Sequence, residues 1–282
     1  MNKDVTIVLL SHKSEDLILD FIDEIYNKFR IIIIDNSNDK KLEQKINKEY
    51  SSIIIKLIEN NGYGAAANYA SKLIKTDYFM INNPDIKNLS EKKILEFVSV
   101  AKTLENKFSC LGPRFINANP KSLKQSDQNI DIAEMKFLSG ACMFFNKKNF
   151  DLLGGFDENF FLYFEESDFC LRSHKINKNY QINKIEVNHL NGTSVLIKTN
   201  EEKNKLQDLY TWHFIWSKFY YHKKHYSFIL AIVYFIPILL RIIFKIILNI
   251  LIKNKKIVNK YKMRWSGLIS SIKGKKSYKR LH

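Results

Sequence analysis

Three stretches of this sequence place reactive side chains where short spacings make them neighbours. Asp85 sits in Asn83-Pro84-Asp85, directly after the apolar run YFMIN at 78–82. A carboxylate at such a turn caps the next element. Facing a nucleoside diphosphate, it can instead hold Mg²⁺ or Mn²⁺, hard cations that share oxygen ligands with phosphates and offset a leaving diphosphate's charge. Glu165, Glu166 and Asp168 follow in EESDFCLR, where a helix macrodipole alone favours acids in the first turn. Helical spacing puts Glu165, Asp168 and Arg172 on one face and lets Asp168 pair with Arg172. Glu166 points about 100° away, toward Phe169 and Cys170. A carboxylate among such neighbours is expected to have a raised pKa and to act as a general base. Glu166 is therefore the expected catalytic base, with Asp168 as second choice. His189 opens HLNGTS at the end of another apolar run, where an imidazole can complete a metal's coordination or touch phosphates.

These residues need a scaffold, and the first half of the chain spells one out. Residues 5–11, 30–35, 53–58 and 78–82 are short continuous apolar runs, as expected of strands buried on both faces. Helical patterns fill 14–28, 40–49, 64–75 and 90–105. This alternation predicts an α/β fold, an open and mainly parallel sheet flanked by helices with right-handed crossovers. Ligands in such sheets bind beyond the carboxyl ends of the strands. Those ends carry Ser11, Asp35-Asn36-Ser37, Asn60-Asn61-Gly62 and Asn83-Pro84-Asp85. The turn after the first strand, LLSHKSED, has no glycine, which excludes the nicotinamide-dinucleotide fingerprint. NNGYGAAAN, after the third strand, reads as a tight turn, a ligand contact or both. Beyond Cys110 the alternation breaks down. FLSGACMFF at 137–145 reads as a strand in which Gly140 permits close approach of a ligand or backbone. A Gly154-Gly155 turn, an aromatic run, a helix from Glu165 to about Lys178 and a last strand at 180–187 complete this half.

The chain has 282 residues, 45% of them hydrophobic, enough for one or two packed domains and not a disordered composition. Its net charge of +16 is unevenly spread. Residues 198–280 hold nineteen Lys and Arg against three acids, whereas residues 1–197 are balanced. Cys110, Cys142 and Cys170 have neither disulfide-framework nor zinc spacing, and read as small buried apolar residues in a reducing compartment. The apolar stretch near the N-terminus is too short for a signal-peptide core, so the front of the chain is expected to stay in the cytosol.

Residues 226–252 are largely apolar but contain Pro237, Arg241, Lys245 and Asn249, the last three recurring on one helix face. A span would bury a cation near its centre. An interfacial helix would leave the cations at the headgroups, and the flanking aromatic and lysine-rich segments suit anionic lipid. Attachment to an anionic membrane surface is therefore expected first, a re-entrant hairpin second and a span third. The alternative is a helical hairpin packed on the front domain with a solvated basic tip. No nucleic-acid partner is expected, because the charge accompanies an Ile/Leu-rich helix in place of a polar groove-reading element. A homodimer through the C-terminal helices is left open, with no residue pointing to it.

IDNSND, NNGYGAAAN, NNPDI, FLSGACMFF, GGFDENFFLYFEESDFCLR and HLNGTS, in this order, resemble the family 2 glycosyltransferases of the GT-A fold over roughly residues 4–195. Within the family the likeness is nearest to bacterial rhamnosyltransferases of O-antigen and capsule synthesis. The resemblance implies a GT-A catalytic domain at 1–197; the charge and apolar patterning described above make 198–282 a basic, helical, membrane-associating region. It also implies Asp85 as the metal end of a DxD-type motif, with His189 as the HxxGxS-type histidine beside it, and Asp35 near the nucleotide base with Leu10 and Ser11. Glu166 takes the base position and Arg172 closes the acidic motif. Asn60, Gly62, Asn68, Asn83 and Gly140 fall in the matching segments and are expected at the nucleotide sugar. This chain departs from the family in having Glu166 where aspartate is usual, and a single carboxylate in its DxD. The implied reaction is inverting transfer of a sugar from a donor of the dTDP-rhamnose type; the basic, apolar tail adds the expectation of a lipid-linked saccharide acceptor at the cytoplasmic face of the plasma (inner) membrane. Another class also fits, a catalytically silent sugar-nucleotide-binding scaffold of a polysaccharide assembly. A nucleotidyltransferase would need a glycine-rich, arginine-containing loop after the first strand, and none is present.

Overall fold

A computed structural model describes residues 2–120, 123–190, 195 and 199–280. The chain divides into two compact units: Met1–Asp157 with Glu166–Leu196, and Glu158–Glu165 with Ile197–His282.

The first unit is an α/β sandwich. Its opening strands are β1 (Asn2–Ser11), β2 (Phe29–Asp35), β3 (Ile54–Leu57) and β4 (Tyr78–Asn82), separated by helices α1 (Glu15–Ile25), α2 (Lys40–Glu49) and α3 (Tyr63–Ser71). After them come β5 (Ile86–Lys87), α4 (Glu91–Thr103), β6 (Phe108–Phe115), β7 (Ile132–Glu134), β8 (Cys142–Asn146), α5 (Lys147–Leu152), α6 (Glu165–Ser173) and β9 (Lys178–His189). The strand order is β3-β2-β1-β4-β8-β6-β9-β5, with β7 paired to β9. β1 to β4 run parallel, as the alternation predicts, while β8 enters antiparallel to both β4 and β6.

Alternate residues of the central strands serve opposite faces, the period-2 pattern of a sheet covered on both sides. Ile7, Leu9, Ile31, Ile33 and Met80 pack with Ile18, Ile22, Phe97 and Ala101 of α1 and α4. Val8, Ile32, Ile34, Phe79 and Ile81 pack with Ala66, Ala67 and Ala70 of α3 and a cluster of Phe145, Phe150, Phe156 and Phe169. Alanines on α3 let that helix lie close to the sheet. The three cysteines are buried in these two layers. Burial pushes the Cys142 thiol up to about 12, and the Cys110 thiol is also raised, chiefly by burial and then by Cys170. They are core residues.

Several elements differ from the sequence expectation. The strand expected at 137–145 begins only at Cys142, so Gly140 lies in the preceding loop. The helix opening at Glu165 ends at Ser173. β6 is formed although it contains Gly112 and Pro113, and its register with β9 shifts at Pro113.

In the second unit, α7 (Asn200–His225), α8 (Phe228–Leu251) and α9 (Lys255–Ile272) pack around Ile215, Phe219, Ala231, Phe235, Ile242 and Leu268. Thr199 and Glu202 form a reciprocal capping box at the start of α7. At Gly267 the backbones of α7 and α9 approach so closely that a Cβ would stand 2.5 Å from the Trp212 carbonyl oxygen. Residues 158–165 join this unit through the Ser217 hydroxyl, which donates to the Leu162 carbonyl at 2.8 Å, and through ring contacts of Phe160 with Tyr220 and Phe161 with His213.

The polar row of α8 does not face outward as its spacing suggests. Arg241 is exposed, but Lys245 is half-buried and Asn249 is buried, its amide donating to the Lys245 carbonyl. The row runs along the edge of the packed seam and leaves the outward face apolar.

Candidate active site at the strand ends

Pairing register brings the polar strand ends together. Ser11 pairs with Asp35, Asp35 with Leu57, and Leu9 with Asn82, so β1, β2, β3 and β4 finish side by side. Each backbone then turns into a loop that hydrogen-bonds its neighbour. The Asn36 amide N–H donates to the Ser11 carbonyl at 3.0 Å, and the Asn36 side-chain amide donates to Asn60 Oδ1 at 3.2 Å. Asn60 Oδ1 also accepts from the Gly62 N–H at 3.3 Å. Gly62 has φ +101° at the N-cap of α3, a conformation that favours glycine. Asp35 is fully buried and accepts from the Ser37 N–H, the Ser37 hydroxyl and the Asp39 N–H, so its carboxylate shapes the β2–α2 loop. Leu10 is half-buried and Ser11 is buried beside it.

A second group forms around the loop before β8. The Tyr63 hydroxyl donates to the Gly140 carbonyl at 2.6 Å, and the Asn83 N–H donates to the Ala141 carbonyl at 2.8 Å. Glu166 lies against Gly140: a Cβ on that glycine would stand 3.4 Å from the Glu166 Cβ and Cγ. The group packed against Gly140 is the Glu166 side chain, at ordinary contact distance, where a ligand or backbone was expected. The Ser167 hydroxyl donates to Glu166 Oε1 at 3.1 Å.

The third group depends on an element absent from the sequence reading. Two-residue β5 pairs antiparallel with the end of β9, setting Ile86 opposite His189. The Leu190 N–H donates to the Asp85 carbonyl at 3.0 Å. In consequence His189 Nε2 stands 3.3 Å from Asp85 Oδ1. Asn117 holds the His189 backbone from both sides, donating to its carbonyl at 2.7 Å and accepting from its N–H at 3.0 Å. Asp85 is 1% exposed, and neither carboxylate oxygen finds a hydrogen-bond partner among the described residues. A buried carboxylate whose one ion-pair neighbour among the described residues is an imidazole, and which makes no hydrogen bond there, is costly, and a hard divalent cation relieves that cost. Asp85 and His189 are therefore the residues here that could hold such a cation. No group of three His, Cys, Asp or Glu with metal-binding geometry occurs among the described residues. The rest of the histidine motif, Asn191 to Ser194, lies outside the described residues.

Three expected site residues prove to be committed to the framework. Asp168 is fully buried and accepts from Arg172 Nε at 2.8 Å; a carboxylate so placed holds an arginine and is not presented to an incoming hydroxyl. Arg172 spends its remaining fork on the Leu153 and Gly155 carbonyls, both at 2.7 Å, bracing the glycine turn. The Asn68 carboxamide donates to the Phe156 carbonyl and accepts from the Phe156 N–H, both at 2.9 Å. This amide clamp fixes the aromatic run to α3. Two residues at the strand ends went unselected from the sequence: His12, whose Nδ1 is 2.7 Å from Asn36 Oδ1, and Tyr63, flanked by the two glycines of its loop.

Residues 6–181 match the family described as glycosyl transferase family 2. The chain belongs to this family. Among curated relatives, the low-salt glycan biosynthesis hexosyltransferase Agl10 of Haloferax volcanii is 22% identical over 201 residues, 64% of each chain. This chain thus spans slightly under two thirds of that relative's length. Among solved structures, TarS of S. aureus in complex with UDP-GlcNAc superposes with a TM-score of 0.56 at 12% identity, covering 99% of this chain and 94% of that one. GalNAc-T7 with UDP, GalNAc and Mn²⁺ gives 0.52 at 13% identity, covering 74% of this chain and 51% of that one. At such identities these likenesses carry the fold, and the fold is GT-A-like.

Proposed function

We propose that this family 2 member is an inverting glycosyltransferase with Glu166 as its base. The observation that carries the proposal is that the Asp85–His189 pair, 3.3 Å apart, and the loop in which Gly140 meets Glu166 are neighbours, joined by the bond from the Asn83 N–H to the Ala141 carbonyl. The acceptor's hydroxyl proton passes to the Glu166 carboxylate as its oxygen bonds to the anomeric carbon of the donor. The bond from that carbon to the diphosphate oxygen breaks, and the nucleoside diphosphate departs with the electron pair. Single displacement inverts the anomeric centre. A divalent cation on Asp85 and His189 would neutralise charge on the leaving diphosphate. The loops at Ser11, Asn36, Asn60 and Gly62 hold the nucleoside end, and Tyr63 ties that end to the Gly140 loop.

The donor class is a nucleoside-diphosphate sugar. UDP-GlcNAc on TarS, UDP with Mn²⁺ on GalNAc-T7 and hexosyl transfer by Agl10 support this class. Rhamnose from dTDP-rhamnose is the donor suggested by the resemblance of the motifs. The acceptor we assign is a lipid-linked saccharide of a bacterial surface polysaccharide, met at the cytoplasmic membrane face.

Calorimetric titration with dTDP, UDP and GDP, each with Mn²⁺ and again with EDTA, tests the donor site. Metal-dependent binding of one nucleotide is expected, and folded protein that binds none refutes the reading. Glu166→Gln separates enzyme from silent scaffold. Turnover should fall by about 10²–10⁴-fold with nucleotide affinity intact, whereas a scaffold has no turnover to lose.

A further inference from the structure

The outward face of α8 is apolar along its length. Ile229, Val233, Leu240, Phe244, Ile247 and Leu251 recur at helical spacing and are 56–73% exposed. The opposite seam, Ala231, Phe235 and Ile242, packs on Ile215 and Phe219 of α7 and Leu268 of α9. Apolar surface this extensive on one element marks an interaction site.

We propose that α8 lies in the plane of an anionic bilayer surface, with this face among the acyl chains. Charge complementarity selects the occupant. Arg241 is exposed on the flank of the face, and Lys253, Lys255, Lys256 and Lys260 are exposed at and beyond its C-terminal end. The region from 198 to 280 carries nineteen cations against three acids. Tyr226 and Trp265 are exposed, of the type that settles at headgroup level. Packing of the seam argues for the in-plane orientation. α7 and α9 are bound to α8 through residues spread from Ala231 to Ile242, so a spanning α8 would draw their cations into hydrocarbon with it. A second copy of this chain is a poorer occupant, because facing two such surfaces opposes like charges at every rim. The docking surface stands whether or not the reading of the reaction is right.

The test is co-sedimentation of the full chain with vesicles of phosphatidylcholine alone or mixed with phosphatidylglycerol. Binding to the mixed vesicles that weakens steeply with salt is expected. Leu240→Ser with Phe244→Ser changes only exposed side chains and should cut partitioning by about tenfold or more. Arg241→Gln with Lys245→Gln should erode the preference for anionic vesicles. Circular dichroism of each variant reports on folding. Trypsin added outside the vesicles should cut near both Lys224 and Lys253, since both helix ends stay on one side; protection of one end would mean a span and overturn the proposal. It is equally overturned if neither vesicle binds the folded chain, if the Leu240/Phe244 variant binds undiminished, or if those residues instead hold a lipid-free dimer that ignores vesicles.

Discussion

His189 Nε2 stands 3.3 Å from Asp85 Oδ1 although about a hundred residues of sequence separate the turn that carries Asp85 from the end of β9. The short pairing of β5 with β9, extended by the bond from the Leu190 N–H to the Asp85 carbonyl, joins them. Asp85→Asn should therefore separate binding from stability. The amide keeps the shape but removes the ligand charge, so nucleotide affinity in Mn²⁺ should fall by about a hundredfold. Thermal stability without metal should hold or rise, because a buried carboxylate that makes no hydrogen bond among the described residues has been removed. Calorimetry and a melting curve on one preparation check both halves.

Gly140 sets the room available to Glu166. A methyl group there meets the glutamate side chain at ordinary contact distance, so Gly140→Ala should be mild. Gly140→Val reaches further and displaces the carboxylate. Turnover should drop by up to about a hundredfold while nucleotide affinity is unchanged, as initial rates and titration will report.

The paired glycines at 154 and 155 make an internal control for backbone strain. Both have positive φ, +73° and +69°. At Gly154 a Cβ meets nothing within 4 Å, so Gly154→Ala should cost ~1–2 kcal/mol. At Gly155 it would stand 2.4 Å from Asn68 Oδ1 and 3.1 Å from Phe150, breaking the clamp on Phe156. Gly155→Ala should cost ~3–4 kcal/mol by urea unfolding. Equal costs would show that the clamp contributes nothing.

In α9, sterics and propensity pull against each other. Alanine at 267 gains ~1 kcal/mol in helix preference, but its Cβ would collide with the Trp212 carbonyl oxygen and with Ile215. Overpacking costs ~1–3 kcal/mol, so Gly267→Ala should lower the melting temperature.

Acid should loosen the helical unit through His213. Its imidazole is fully buried between the Ser277 hydroxyl and the Lys279 carbonyl. Burial pushes it down to about 4. The unfolded chain binds this proton near pH 6.5 and the folded one does not, so the stabilisation is complete above about pH 6.5 and is lost as pH falls toward about 4. The loss amounts to ~3 kcal/mol. Urea midpoints across that window should fall in the native chain and flatten in His213→Gln.

How much was legible beforehand depended on the range of the interaction. β1 to β4 announce themselves because each is a continuous apolar run. β6 does not, because Gly112 and Pro113 interrupt it, and only the register shift beside β9 accommodates them. Residue type and place in the chain single out Asp85, Glu166 and His189, and the fold sets Asp85 beside His189 and Glu166 beside Gly140. The Asp168–Arg172 pair was legible too, from its i,i+4 spacing; that Arg172 and Asn68 also brace the framework was not, since those further partners are backbone groups set by folding, such as the Leu153, Gly155 and Phe156 carbonyls. His12 gives no signal of its own in the sequence, because its partner, Asn36, belongs to another strand end.

The passage of the chain between its two units has a practical consequence. Residues 158–165 are held by α7, yet the next residue, Glu166, belongs with the sheet. Deleting everything after residue 197 would strip Phe160 of Tyr220, Phe161 of His213, and the Leu162 carbonyl of the Ser217 hydroxyl. The peptide leading into Glu166 would then be a sticky, unanchored strap, so a shortened enzyme should be searched for by replacing α8's outward residues with polar ones, keeping α7 and α9 whole.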